Sequence, residues 1–231
     1  MNLSKSRKYN RLFSGIADEV STRTYNLFLG GAVLYGLIAN FLICYTVGDK
    51  ASQINPIVLI IGYFVCCFTG IIMSFKSNSP IISFIGYNLV VIPIGLVMSI
   101  IISTYVKEGM GDLIPQAVLV TAAVTTIMIG LSIVFPSFFS KLGRILSLSL
   151  TALIIIELVA LFFFPGALHI LAWASAGIFS MYIGYDFWKA QKYPKTINNA
   201  VDSAIDIYLD IVNLFLDILE ILSDSKSSKK E

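Results

Sequence analysis

Between Leu27 and Phe135 the chain is dominated by four stretches that contain no charged residue: Leu27 to Val47, Ile57 to Phe75, Ile81 to Val106 and Gln116 to Phe135. A helix needs roughly 20 mostly apolar residues to cross the hydrocarbon of a bilayer, and each stretch has about that length or more. Two further runs follow. Ile145 to Phe164 is broken only by Glu157, and Ala167 to Trp188 carries Asp186 close to its end. Prolines punctuate the series: Asn55-Pro56 opens the second run, Pro115 the fourth, while Pro136 and Pro165-Gly166 stop the fourth and fifth. Pro93 lies inside the third and is expected to kink it. Of the 231 residues 57% are hydrophobic and 13% charged, against about 25% charged in ordinary soluble domains. So little charge cannot coat a globule in water, and a soluble monomer is excluded.

The expected architecture is an all-α integral membrane protein. A cytoplasmic N-terminal segment (residues 1–26) precedes a seven-helix transmembrane domain (27–222) and a polar, lysine-rich tail (223–231). The opening residues are polar as far as Arg23, unlike a cleavable signal, so the first span is expected to remain as an anchor. Lysine and arginine set the orientation. Lys5, Arg7, Lys8, Arg11, Arg23, Lys76, Lys141, Arg144, Lys189, Lys192 and Lys195 fall on one side, and only Lys50 and Lys107 on the other. This places the N-terminus in the cytoplasm. The ending Lys229-Lys230-Glu231 has only a dilysine-like look, which leaves a bacterial plasma membrane as the expected location. The net charge of +2 is scattered, so nucleic acid is not an expected partner. Cys44, Cys66 and Cys67 all sit in apolar runs and read as reduced packing residues.

The seventh segment, Ala200 to Leu222, differs in kind. At about 100° per residue, Asp202, Asp206, Asp210, Asn213, Asp217 and Glu220 fall within an arc of roughly 80° on an otherwise greasy helix. One reading lays this helix on the membrane surface with its acids in water. Interfacial helices, however, usually carry lysine and arginine on the polar face, because lipid surfaces are anionic. The other reading puts the helix inside the bundle with its acids facing a hydrated cavity, since a carboxylate at bilayer depth costs at least roughly 2.5–3.5 kcal/mol and is retained for a job. Charge bias leaves open whether the segment crosses fully or re-enters, because Lys226, Lys229 and Lys230 follow it.

Two strings carry a family resemblance. Ser180-Met181-Tyr182-Ile183-Gly184-Tyr185-Asp186 and Ala204-Ile205-Asp206-Ile207-Tyr208-Leu209-Asp210-Ile211-Val212-Asn213-Leu214-Phe215 resemble the last two helices of the Bax inhibitor-1 family, the transmembrane Bax-inhibitor-motif proteins. That resemblance implies six helices around a central seventh. It also implies a pH-sensitive calcium leak gated by two paired aspartates, which by motif are Asp186 and Asp210. Two carboxyl groups within hydrogen-bond reach cannot comfortably both ionise, so they would share one proton and titrate as a unit. Ca2+, a hard cation that prefers oxygen ligands, suits acidic walls; it would be the permeant ion and a transient ligand of the pair, with no other cofactor. Some members place an arginine after the second span as a latch, and here that loop offers Lys76. The loop after the fourth span, Phe138 to Arg144, lacks the acidic residue that the family tends to have there.

Asp206, Asn213, Asp217 and Glu157 complete the expected cation path, although Glu157 could equally be protonated and bonded to a neighbouring helix. His169 has no second histidine or cysteine nearby, so a transition-metal site is not expected. Hydrolase chemistry lacks a base, and phosphate-binding loops are absent. The chain is therefore not expected to be an enzyme. Two rivals to the channel remain open: a non-conducting regulator that binds a membrane protease or a cell-death or stress protein, and a proton-coupled cation exchanger.

Overall fold

The computed structural model describes residues 19–164, 166 and 168–227. The basic residues Lys5, Arg7, Lys8 and Arg11, the stop at Pro165 and the lysines at 229 and 230 lie outside the described residues. Within them the chain is all helical: α1 (Thr22–Val47), α2 (Pro56–Lys76), α3 (Pro80–Lys107), α4 (Leu113–Val134), the single turn α5 (Pro136–Phe139), α6 (Gly143–Phe163), α7 (Leu168–Ala190) and α8 (Ile197–Ser227). A 3-10 turn, Gly48–Gln53, joins α1 to α2. Side-chain oxygens cap two of the starts. Ser21 Oγ accepts from Thr24 N–H at 3.1 Å, and Asn55 Oδ1 accepts from Ile57 N–H at 2.9 Å, with Pro56 in the first turn where its missing donor costs nothing. Gly109, at φ 72° just past the end of α3, takes the left-handed conformation that commonly closes a helix. The buried Pro93 leaves α3 a single helix of 28 residues.

Five helices, α1 to α4 and α6, are long and apolar enough to cross a membrane. Their flanks carry bare apolar side chains: Phe41 is 67% exposed, Ile81 72%, Leu119 71% and Phe162 77%. Surface of that kind marks contact with lipid rather than water, and the protein is a multi-pass membrane protein. The α7 and α8 helices fall outside that group. Four carboxylates between Asp202 and Asp217 alone break the apolar run of α8.

The described residues form two compact units, one made of the residues up to Glu108 with Lys192–Tyr208, the other of Gly109–Gln191 with the residues from Leu209 onward. In the first unit α2 packs on α3, and α3 on α1. A Cβ added at Gly70 would strike the Gly86 carbonyl oxygen, and one at Gly86 would stand 2.6 Å from the Gly70 carbonyl oxygen. Here α2 and α3 touch backbone to backbone, the close approach that small residues permit where lipid supplies no hydrophobic drive. In the second unit α7 packs against α4, α5 and α6.

Candidate functional site

The second unit holds the residues expected to matter most. Asp186, in the last turns of α7, and Asp210, on α8, are each only 6% exposed. Three neighbours fix the end of α7. Gly184 leaves no room for a Cβ, which would strike the Phe139 ring and stand 3.1 Å from the Met128 carbonyl oxygen, so α7 lies hard against α5 and α4. Phe139 is buried as a result. The Tyr185 hydroxyl rests where a side chain at position 143 would go, which explains the glycine that starts α6. The string Gly184-Tyr185-Asp186 therefore has a local reading: a notch, a strut and the carboxylate they position.

The Tyr182 hydroxyl, one turn before Asp186, is within electrostatic reach of both Asp186 and Asp210. Both carboxylates therefore lie near the same phenol. Sequence reasoning missed the third charge of the site. Lys189 donates to Asp186 Oδ1 in an i,i+3 pair, and its ammonium stands 5.6 Å from the centre of the Tyr185 ring. The Asp186-x-x-Lys189 spacing was the available signal, since residues three apart on a helix are neighbours. The site therefore contains two carboxylates, an ammonium and a phenol.

Further along, α7 and α8 continue to meet in antiparallel order. Asp217 lies close to the Ser175 side chain, and Glu220 Oε1 lies 3.5 Å from His169 Nδ1. Glu157, on α6, comes within electrostatic reach of Asp217 and Glu220. The structure thus joins Glu157 to the acidic stripe. Asn213 is half-buried and turns its amide to the Leu209 carbonyl of its own helix at 2.8 Å. Past the stripe, Lys226 Nζ donates to Asp112 Oδ1 at 2.6 Å and ties the end of α8 to the start of α4.

The remaining expected residues belong to the first unit. Asp206 is half-buried on α8, and Lys76 is exposed at the end of α2. Asp202 is more deeply buried than either, at 2% exposure. Ser74 Oγ donates to its Oδ1, Asn198 Nδ2 donates to its Oδ2 at 3.2 Å, and Ser83 Oγ donates to Asn198 Oδ1 at 2.8 Å. Such a satisfied network assigns Asp202 to holding α2, α3 and α8 together. The neighbouring motif tyrosine is also an anchor. Tyr208 is fully buried, its hydroxyl accepts from Asn40 Nδ2 at 2.6 Å, and its ring meets Tyr87 edge-on at 5.5 Å.

Among the described residues no group of three or more His, Cys, Asp or Glu side chains is arranged to hold a metal ion. The three cysteines are free and half-buried.

A family model described as Inhibitor of apoptosis-promoting Bax1 matches residues 17–228. The chain belongs to the Bax inhibitor-1 family. Two relatives from Helicobacter pylori, each named only as an uncharacterized protein, are similar over 121 residues. The one from strain J99 is 32% identical and the one from strain 26695 is 31% identical. In both cases the match covers 50% of this chain and 50% of the relative, so the similarity spans about half the length of these relatives.

Proposed function

We propose that the protein is a pH-sensitive, calcium-permeable leak channel whose gate is a proton shared at Asp186 and Asp210. The observation that carries this reading is a pair of buried carboxylates on consecutive helices, each within electrostatic reach of the Tyr182 hydroxyl. Lys189 refines the switch. With Lys189 and Asp186 paired, a proton on Asp210 makes the cluster neutral and stabilises contact between α7 and α8. Loss of that proton leaves one uncompensated negative charge in a region of low dielectric, which favours separation and draws in a cation. Ca2+ prefers oxygen ligands, and Asp206, Asn213, Asp217 and Glu157 supply the oxygens of the cation path in this scheme. No enzymatic step and no resident cofactor enters this scheme.

The reading requires α7 and α8 to cross the bilayer as the sixth and seventh spans. The length of α8 supports this: 31 residues at about 1.5 Å each exceed the roughly 30 Å of hydrocarbon. So does the antiparallel order of contacts from Asp210 to Glu220 and on to the Lys226–Asp112 pair. That pair matches the charge of a lysine delivered to the side away from Lys189. Buried side chains on every face of α8, from Ala200 and Asp202 to Leu219, fit a central helix and not one lying at a lipid surface. The lysine and arginine bias supports a cytoplasmic N-terminus in a bacterial plasma membrane.

The test is Ca2+ entry into liposomes holding the purified protein, followed from about pH 5 to 8. The channel reading expects flux that varies with pH in the native chain and flux that no longer varies in Asp210→Asn. Absence of flux at every pH overturns it and leaves the regulator. Dye-reported proton movement opposite to Ca2+ replaces the leak with an exchanger.

A further inference from the structure

On the first unit, away from the carboxylates, lies a cleft of about 620 Å3 between α1, α3 and the start of α8. Its walls are almost wholly apolar: Leu27, Phe28 and Gly31 on α1, Ile81 and Phe84 on α3, Val201 on α8. From Leu27 to Tyr35 it follows α1 for eight residues, about 12 Å, close to the roughly 15 Å depth of one leaflet's hydrocarbon. Tyr35 closes the inner end, its hydroxyl donating to Asn88 Oδ1 at 2.6 Å, so the tyrosine presents its ring rather than an unsatisfied donor.

The other end is basic. The chain before α1 bonds to the loop before α8 (Val20 N–H to Lys195 O, 2.7 Å), and Lys195 Nζ stands 4.4 Å from the centre of the Tyr25 ring. Arg23 occupies the same first turn of α1, one turn before Leu27. Partial burial and the nearby Lys192 hold the pKa of Lys195 below its usual value. Three helices, α1, α3 and α8, begin at this end, and helix starts carry partial positive charge.

We propose that the cleft binds one acyl chain of an anionic glycerophospholipid, with Arg23 and Lys195 at its mouth holding the phosphate. An apolar channel one leaflet deep beneath a cationic mouth matches the two ends of such a lipid. Bulk lipid would cover the exposed flanks of α2 or α6 without distinguishing headgroups, whereas this cleft selects by charge. Occupancy would wedge between α1 and the first turn of α8, and so couple membrane composition to the helix that carries Asp210.

The full chain, released from mixed phosphatidylglycerol and phosphatidylcholine vesicles in mild detergent, is weighed by native mass spectrometry to count retained lipids. The native protein is expected to retain phosphatidylglycerol about tenfold over phosphatidylcholine, a preference worth about 1.4 kcal/mol. Gly31→Leu fills the cleft without a clash, since a Cβ at position 31 meets nothing within 4 Å, and it is expected to lose the adduct. Arg23→Gln, an exposed change that leaves the fold intact, is expected to keep an adduct and lose the preference. A native chain that retains both lipids equally, or an adduct unchanged by Gly31→Leu, overturns the proposal. These outcomes are independent of Ca2+ flux, so the lipid site and the channel stand or fall separately.

Discussion

Replacing Lys189 by glutamine isolates the charge that sequence reasoning overlooked. The side chain of Asp186 is 7% exposed and that of Lys189 21%. Breaking a fully buried ion pair by removing one partner costs about 3–5 kcal/mol, because the survivor is left uncompensated. Lys189 reaches water with a fifth of its surface, so part of that cost is already screened, and about 2–3 kcal/mol is the expected loss. For a chain of this length that corresponds to a fall in melting temperature of about 5–10 °C. The assay is a double-mutant cycle in detergent micelles: native, Lys189→Gln, Asp186→Asn and the double variant. If the pair is a true unit, the double variant regains much of the loss, with a coupling of about 1–3 kcal/mol. A single-variant loss under about 0.5 kcal/mol with additive changes refutes the role given to Lys189 and returns Asp186 to a pair with Asp210 alone.

Two other substitutions test the first unit. Gly86→Ala drives a methyl into the backbone of α2, 2.6 Å from the Gly70 carbonyl oxygen, where no rotamer change relieves it; a loss of about 1–3 kcal/mol is expected in thermal unfolding. Tyr208→Phe removes the acceptor of Asn40 and keeps the ring against Tyr87, so unfolding is expected to cost about 0.6–1.7 kcal/mol, the range for hydrogen bonds between membrane helices.

Five of the seven expected spans were legible from sequence because crossing a bilayer demands length and lack of charge, both of which are local properties. The helix containing Leu27 to Val47 begins at Thr22, only five residues before the run, where Ser21 caps it. The last helix extends to Ser227, beyond the apolar run that ends at Leu222, and Lys226 in that extension finds Asp112. Asp186 and Asp210 were legible through the strings that contain them. Their neighbours were less so. Lys189 stands three residues from Asp186 in plain view, yet a lysine at the end of a span reads first as an orientation signal. Glu157 was visible as an oddity, but its approach to Asp217 and Glu220 depends on how α6 and α8 rotate about their own axes, which no local pattern records. The contact of Ser74 with Asp202 spans 128 residues and carries no signature in either segment.

The central claim is a proton held between two named carboxylates, and infrared difference spectroscopy during a pH titration reads it directly. The account predicts a protonated-carboxyl component that vanishes as pH rises, with the same midpoint as the change in Ca2+ flux, and that both Asp186→Asn and Asp210→Asn remove from the spectrum. Spectra left unchanged by both variants, or flux that changes with pH while no carboxyl signal does, contradict it.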